Sequence, residues 1–131
     1  MKKTKIMTKN GYSTLLVSNH WKIAVSVASE DEYVKDISRH NETDESFILL
    51  DGDGYLITAK ENNESFSFRF HKMIKGEILT IERNEWHAHL WKAGTQVLIV
   101  ENSDTSDSNS DKHILTDEER AVVNTADDII S

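Results

Sequence analysis

The chain of 131 residues has a net charge of −8, with 37% hydrophobic and 29% charged residues. This length corresponds to one ordinary domain, and the composition is that of a folded globular protein. Because cysteine is absent, neither a disulfide framework nor a thiolate metal site can form, and any metal must be held by His, Asp or Glu. An acidic chain without a basic stripe also argues against a nucleic-acid partner.

The charge is unevenly distributed along the chain. Residues 1–30 contain five lysines and one acidic residue, whereas residues 101–131 contain nine acidic and two basic residues. We interpret residues 1–11 as a solvated basic arm. No apolar run approaches the roughly 20 residues that cross a bilayer, and no signal-peptide pattern follows the basic start. We therefore expect a cytoplasmic protein without a membrane partner.

Short apolar segments separated by turn signals follow one another over residues 12–101. Segments of this length and spacing are typical of an all-β sandwich or barrel, and helical periodicity is absent from this part of the chain. The predicted strands cover residues 14–17, 21–27, 47–50, 55–58, 66–70, 78–81, 86–91 and 96–100. Residues 12–101 are thus predicted to form one antiparallel β-barrel.

Three sequence features refine this barrel. The run Asp51-Gly52-Asp53-Gly54 favours a hairpin turn over a calcium loop, because the further ligands of such a loop are missing. Phe66, Phe68 and Phe70 fall on one face of their strand, which we expect to line a core. The segment 47–50 is apolar on both faces, as in a strand covered on both sides within a sandwich or at a dimer interface.

The sequence after the barrel divides into two parts. Residues 102–112 are almost entirely Ser, Asp, Asn and Thr, with nothing to bury, and are predicted to be a flexible linker. In residues 113–131, Thr116 and Glu119 have the spacing of a capping box and precede an apolar run. This pattern predicts a short C-terminal helix.

Glu45 is the first candidate functional residue. On a strand it shares a face with Phe47 and Leu49, so its carboxylate points toward the core. A buried carboxylate needs a partner, which can be a metal ion or an arginine. His40 precedes the four-residue bend 41–44, and a tight turn there would bring its imidazole beside Glu45.

A second histidine-rich stretch, ERNEWHAHLW, covers residues 82–91. On a strand, His87, His89 and Trp91 share one face. Imidazole and carboxylate together suit Fe(II), Mn(II), Ni(II) or Zn(II), and two histidines with one carboxylate leave coordination positions open for a substrate.

The two stretches together resemble the two motifs of small single-domain cupins, which belong to the RmlC-like jelly-roll superfamily. HNETDESFILLDGDG is similar to the first motif, His-x-His-x-x-Thr-Asp-Glu before a Phe-x-x-Leu-x-Gly strand and turn, and KGEILTIERNEWHAHL is similar to the second. The resemblance aligns His40, Glu45 and His87 with metal ligands of the family and Gly52 with its turn glycine. It implies a cupin-like barrel and, because small cupins commonly pair through a barrel face, a homodimer.

The chain departs from the cupin pattern at two places. Ser38 stands where the first motif histidine would be, and serine is a weak neutral ligand, so the site is reduced to His40, Glu45 and His87 unless His89 or water fills the gap. The usual Pro-Arg-Gly turn of the second motif appears as Glu82-Arg83-Asn84, and Asn tolerates the left-handed turn conformation. The further candidate pocket residues are Ser38, His89, Phe47, Phe68 and Trp91.

Two hypotheses about function follow. In the first, the protein binds a divalent metal (Fe, Mn, Ni or Zn) and a small organic molecule, and acts as a metal-dependent enzyme on a small carboxylate or hydroxylated substrate. In the second, it is a metal-free and non-catalytic cupin that binds a small molecule or has a structural role. Three ligands do not determine a reaction type, and no glycine loop predicts a nucleotide cofactor.

Overall fold

The computed structural model describes residues 1–125, which form ten β-strands, one 3₁₀ turn and one α-helix. The strands are β1 (Gly11–Val17), β2 (Trp21–Val27), β3 (Asp36–His40), β4 (Glu45–Asp51), β5 (Gly54–Asn62), β6 (Ser65–Lys72), β7 (Ile78–Ile81), β8 (Trp86–Trp91), β9 (Gln96–Asn102) and β10 (Ser110–Ile114). The 3₁₀ turn covers Asp107–Asn109, and the helix α1 covers Asp117–Val123.

The strands form two five-stranded antiparallel sheets. The first sheet has the order β1-β2-β9-β4-β7, and the second has the order β10-β3-β8-β5-β6. Apolar side chains from both sheets form a common core, in which Phe47 and Val97 of the first sheet pack with Leu56 and Trp91 of the second. The predicted all-β cupin-like barrel with a short C-terminal helix is therefore confirmed.

The helix packs on the outer face of the second sheet. Its capping box is present, because the Thr116 hydroxyl accepts a hydrogen bond from the Glu119 backbone and the Glu119 carboxylate accepts one from the Thr116 backbone. Val123 is fully buried in a second cluster with Ile57 and Trp86, against which Phe66, Phe68 and Phe70 pack. The three phenylalanines thus line this outer cluster rather than the barrel interior. No helix within residues 1–125 is long and apolar enough to span a membrane.

The predicted turns have the backbone conformations that their residues favour. Gly52 has a φ of 105°, and a Cβ atom there would lie 2.5 Å from the Thr95 backbone, so both conformation and space require glycine. Asn84, which takes the place of the glycine in the second motif, has a φ of 66°. This value lies in the left-handed region that Asn tolerates better than most residues.

The segment predicted to be a flexible linker instead has regular secondary structure. Residues 102–112 contain the end of β9, the 3₁₀ turn and the start of β10, which pairs with β3 along its whole length. This polar segment has little apolar surface to bury. It is stabilised instead by backbone pairing, by a capping box around Ser106 and by the 2.8 Å contact of Arg39 Nε with Asp111 Oδ2. Of the predicted helical tail, residues 113 and 114 belong to β10, and residues 126–131 lie outside the described part.

Candidate metal centre

Three strands bring His40, Glu45 and His87 together at one end of the barrel. His40 ends β3, Glu45 begins β4, and His87 lies on β8, where it pairs with Ser38 of β3. Glu45 Oε1 lies 3.2 Å from His40 Nε2 and 3.1 Å from His87 Nε2. One ligand atom from each of these residues lies within 4.8 Å of the other two. The structure thus places the three residues of the sequence hypothesis around one point.

The hydrogen bonds of His40 determine which ring nitrogen carries its proton. His40 Nδ1 lies 2.8 Å from the Ser110 hydroxyl, and that hydroxyl donates its only proton to the Ser106 carbonyl at 2.7 Å. The hydroxyl must therefore accept from His40 Nδ1–H. In the neutral ring this leaves the lone pair on Nε2, which faces Glu45.

His87 is held in the same tautomer by a different partner. Its Nδ1 lies 3.0 Å from the backbone carbonyl of Glu85, and a carbonyl can only accept a hydrogen bond. The lone pair of the neutral ring is therefore on Nε2, which also faces Glu45. A hydrogen bond from the second nitrogen of a ligating imidazole to a carbonyl or hydroxyl is the usual way in which proteins orient such ligands.

Two imidazole lone pairs and one carboxylate thus converge with no proton between them unless a ring becomes cationic. Without a metal, protons supply the positive charge, because the hydrogen bond to Glu45 raises the pKa of His40. Burial by itself would raise the pKa of Glu45, but hydrogen bonds from His40 and His87 outweigh it and hold this pKa well below its usual range. The arrangement favours a cation at its centre, and a divalent metal fits these donors.

A second buried carboxylate, Glu101 on β9, lies beside the three residues. Burial, and after it the neighbouring Glu45, raises the pKa of Glu101 to about 7. Glu101 Oε1 accepts a hydrogen bond from the Tyr12 hydroxyl at 3.1 Å and lies 3.7 Å from Lys22 Nζ. Burial and the same carboxylate raise the pKa of Tyr12 above its usual value. These contacts extend the polar site from β4 across β9 to β1 and β2.

Two cavities adjoin the site. The larger has a volume of about 790 Å³ and is lined by Glu45, Phe47, His87 and His89 together with the segment from Ser26 to Asp36. The smaller, of about 510 Å³, is lined by His40, Glu45, Glu101 and parts of residues 105–112. Tyr12, Ser38 and Glu45 line both, so the candidate metal centre lies where the two cavities meet. Cavities of this size accommodate small organic molecules.

The further pocket candidates divide into two groups. Ser38 and Phe47 line the larger cavity, and the Phe47 ring contacts that of His87 edge-on at 6.3 Å. His89 lines it too, but its Nδ1 lies 2.7 Å from Glu32 Oε1 and its ring stacks on Trp91, away from the three converging atoms. Phe68 packs in the outer cluster and Trp91 in the barrel core, and neither lines the cavities described here.

Four residues of the site were not expected from the sequence: Tyr12, Lys22, Glu101 and Ser110. Period two does place Glu101 on the same face as Val97 and Ile99, a signal that parallels that of Glu45. For Tyr12 and Lys22 the pattern is weaker, because a further polar residue lies on the same strand face in each case, Thr14 in β1 and Ser26 in β2. Ser110 gave no signal, because it lies in the segment read as a linker.

Comparisons with known proteins identify the fold of the chain but no relative with a similar sequence. No protein-family model and no curated protein matches the chain. Among solved structures, Pac13 from Streptomyces, described as a unique nucleoside dehydratase, is 8% identical with a TM-score of 0.54 over 88% of each chain. KdgF from Halomonas sp. is 9% identical, with a TM-score of 0.59 over 74% of this chain and 81% of its own.

A third structure, an RmlC-like cupin protein from Desulfovibrio desulfuricans, is 14% identical with a TM-score of 0.51, covering 70% of this chain and 80% of its own. At such low identities the likeness concerns the path of the backbone and not the chemistry of the site. Together with the two facing antiparallel sheets, it bears out the resemblance seen in the sequence: the chain is a cupin-fold protein.

Proposed function

We propose that the protein binds a divalent metal through His40, Glu45 and His87 and a small organic molecule in the adjoining cavities, and that it acts as a metal-dependent enzyme. The observation that carries this proposal is the convergence of the Glu45 carboxylate with two imidazole nitrogens, whose tautomers are set by hydrogen bonds to the Ser110 hydroxyl and the Glu85 carbonyl. When bound, the metal would supply a Lewis acid with open coordination positions. Fe, Mn, Ni and Zn all accept this set of ligands.

The residues around the centre have defined tasks in this proposal. His40 and His87 bind the metal through Nε2, and Glu45 binds it through a carboxylate oxygen. Glu101, buried beside Glu45, holds or releases a proton near neutral pH. Phe47 and the barrel core close one side of the larger cavity and exclude water there. The proposal for an organic ligand is supported by Pac13, which has the same fold and whose variants were crystallised with uridine.

Elemental analysis of protein purified without chelator tests the metal centre. We expect near-stoichiometric metal in the wild type, directly or after reconstitution with Fe(II), Mn(II), Ni(II) or Zn(II), and its loss in His40→Ala and His87→Ala. The matched control is His20→Ala, because His20 is an exposed histidine that does not line the cavities described here. Equal metal content in all four proteins, or none in the wild type, would refute the centre.

The alternative is a metal-free binding protein, and one observation favours it. Ser38 occupies the position of a family ligand, and it lines both cavities, so the coordination set is smaller than that of a complete cupin motif. In this case the protons of His40 and Glu101 would supply the charge balance around Glu45. A wild type that stays free of metal but binds a small molecule, as seen by mass spectrometry under native conditions, would support this alternative.

We also infer that the protein is a cytoplasmic homodimer. On the outer face of the first sheet, Ile48 lies between Leu98 and Ile78 in the strand register. Ile78 is 66% exposed, so this apolar row continues to the sheet edge. Burial of such a row in a second copy is favourable. Light scattering should give a dimer for the wild type and for Ser65→Lys, and a monomer for Ile78→Lys; a monomeric wild type would contradict the inference.

A further inference from the structure

His89 is fixed in the wall of the larger cavity although it is only partly buried. Its Nδ1 lies 2.7 Å from Glu32 Oε1, and the same oxygen accepts the Trp91 backbone N–H at 2.9 Å. The imidazole also stacks on the Trp91 ring with 3.7 Å between centroids and 12° between planes. A side chain that is 39% exposed is thus held by a carboxylate on one edge and an aromatic ring on one face.

The other nitrogen of this ring is available to a ligand. Within residues 1–125 His89 Nε2 has no hydrogen-bond partner, whereas both ring nitrogens of His40 and His87 have one. Since His89 lies two residues from His87 on the same strand face, the two side chains are about 6.5 Å apart along β8. One small molecule can therefore reach both the centre at His87 and the Nε2 of His89.

The charge of the larger cavity restricts what such a molecule can be. Four carboxylates of one segment line it, and the segment offers one ammonium group in return, that of Lys35; the four are Glu30, Asp31, Glu32 and Asp36. Counted together with Glu45 and a divalent metal at the centre, this lining still carries a net negative charge, so it repels a negatively charged ligand and does not repel a hydroxyl or an ammonium group.

We propose that His89, oriented by Glu32, is the second anchor of the ligand and that this ligand is a neutral or cationic hydroxylated molecule, not a carboxylate. A ligand hydroxyl lies against His89 Nε2 while another polar atom faces the centre formed by His40, Glu45 and His87. A hydroxyl can both donate and accept, so it suits either protonation state of the imidazole. This inference rests on the proposed function, whose open class of carboxylate or hydroxylated substrates it narrows.

Three probes of equal length test the ligand class: 1,4-butanediol, 4-amino-1-butanol and 4-hydroxybutyrate, which differ in charge at one end. Each is titrated at low ionic strength into the full chain loaded with Co(II), whose visible absorption bands report ligand binding. His89→Phe keeps an aromatic ring on Trp91 and removes both nitrogens; Glu32→Gln keeps the hydrogen-bonding shape and removes one charge. The matched controls are His20→Phe and Glu64→Gln, two exposed positions that line neither cavity.

We expect His89→Phe to weaken the binding of 1,4-butanediol about tenfold, the loss of one hydrogen bond in a partly buried site. Glu32→Gln should strengthen 4-hydroxybutyrate and weaken 4-amino-1-butanol, each by roughly threefold, since one charge in the cavity wall is removed. Both variants should bind Co(II) as the wild type does, and both controls should leave all three affinities unchanged.

Results other than these would contradict the role of His89, the class of ligand or the metal centre. Affinities in His89→Phe and Glu32→Gln equal to those of the controls would overturn the anchor, as would bound Co(II) whose bands respond to none of the three probes. Tighter binding of 4-hydroxybutyrate than of 1,4-butanediol by the wild type would overturn the ligand class. Loss of Co(II) from His89→Phe would make His89 a metal ligand instead of a ligand anchor. A wild type that fails to bind Co(II) would refute the proposed metal centre itself, and the absence of the absorption bands distinguishes that result from the others.

Discussion

The inner faces of β4, β8 and β9 are apolar at one end of the barrel and charged at the other. At the apolar end these strands contribute Leu49, Trp91 and Val97. At the polar end the same strands contribute Glu45, His87 and Glu101, all of them buried. The change takes place within four residues of each strand, so one end is filled by side chains while the other is left with cavities and unbalanced charge.

The two ends differ in what they need to be stable. At the apolar end, burial of hydrocarbon is favourable without any further partner. At the polar end, Glu45 depends on hydrogen bonds from His40 and His87, and burial raises the pKa of Glu101 because its charged form is disfavoured there. A fold normally avoids such groups in its interior unless they have a task. The residues that stabilise the fold and the residues of the candidate site therefore lie at opposite ends of the same strands.

The largest expected effect is that substitutions at the two ends change different properties, stability at the apolar end and metal binding at the polar end. Trp91→Ala removes a side chain that is 1% exposed and should lower the free energy of unfolding by about 3–5 kcal/mol. The folded variant should still bind metal, because Trp91 is not part of the centre. His87→Ala should abolish metal binding and lower the stability of the metal-free protein by less than half as much. Urea unfolding followed by circular dichroism, with metal analysis of both variants, checks this prediction.

If His87→Ala proved as destabilising as Trp91→Ala in the presence of a chelator, the polar end would contribute to the stability of the fold as much as the apolar end does. The comparison between the two ends would then fail. Ile99→Val is the matched mild control, since it removes one methylene group from the inner face of β9 and should cost roughly 1 kcal/mol.

The second prediction concerns the pH dependence of stability in the metal-free protein. The pKa of Glu101 is raised from its ordinary value of 4.5 to about 7 in the folded state. Between these values the folded state binds more protons at Glu101 than the unfolded state, so the contribution of Glu101 to stability is fully present below pH 4.5 and is lost as the pH rises toward 7. The raised pKa of His40 acts in the same direction from pH 6.5 upward.

Glu101→Gln should remove the part of this fall that lies between pH 4.5 and 7. The difference between variant and wild type should change by on the order of 2 kcal/mol across that window. Urea unfolding at closely spaced pH values in the presence of a chelator gives the two profiles, and Glu64→Gln serves as an exposed control. Parallel profiles for wild type and Glu101→Gln would show that Glu101 titrates normally.

The sequence predicted the apolar end of the barrel better than the polar end, and strand patterns explain the difference. All eight predicted strands are present, because each has apolar residues whose burial determines its position. β3 and β10 were missed, since DISRH and SDKHI have only two apolar residues between them. These strands are held by their mutual backbone hydrogen bonds, which leave no mark in a hydropathy pattern.

Strand patterns in the sequence also explain which residues of the candidate site could be predicted. Glu45 and His87 lie on strands with clear alternation, and His40 was found through its spacing to Glu45. Ser110 was not found, because its relation to His40 exists only through the pairing of β10 with β3. Tyr12 and Lys22 reach Glu101 across 89 and 79 residues of sequence, and such contacts follow from the order of the strands in the sheet and not from any local motif.

The smallest predicted effect tests this missed strand. Ser110→Ala removes the acceptor of His40 Nδ1–H, so the tautomer with Nε2 free is no longer favoured. Metal affinity should fall about tenfold, the lower end of the range for loss of a group that orients a ligand. Ser108→Ala, an exposed serine of the same segment, is the control. Competition with a chromogenic chelator measures both. Equal affinities would mean that β10 closes the barrel without tuning His40, and the polar end would then depend only on residues that the sequence had already indicated.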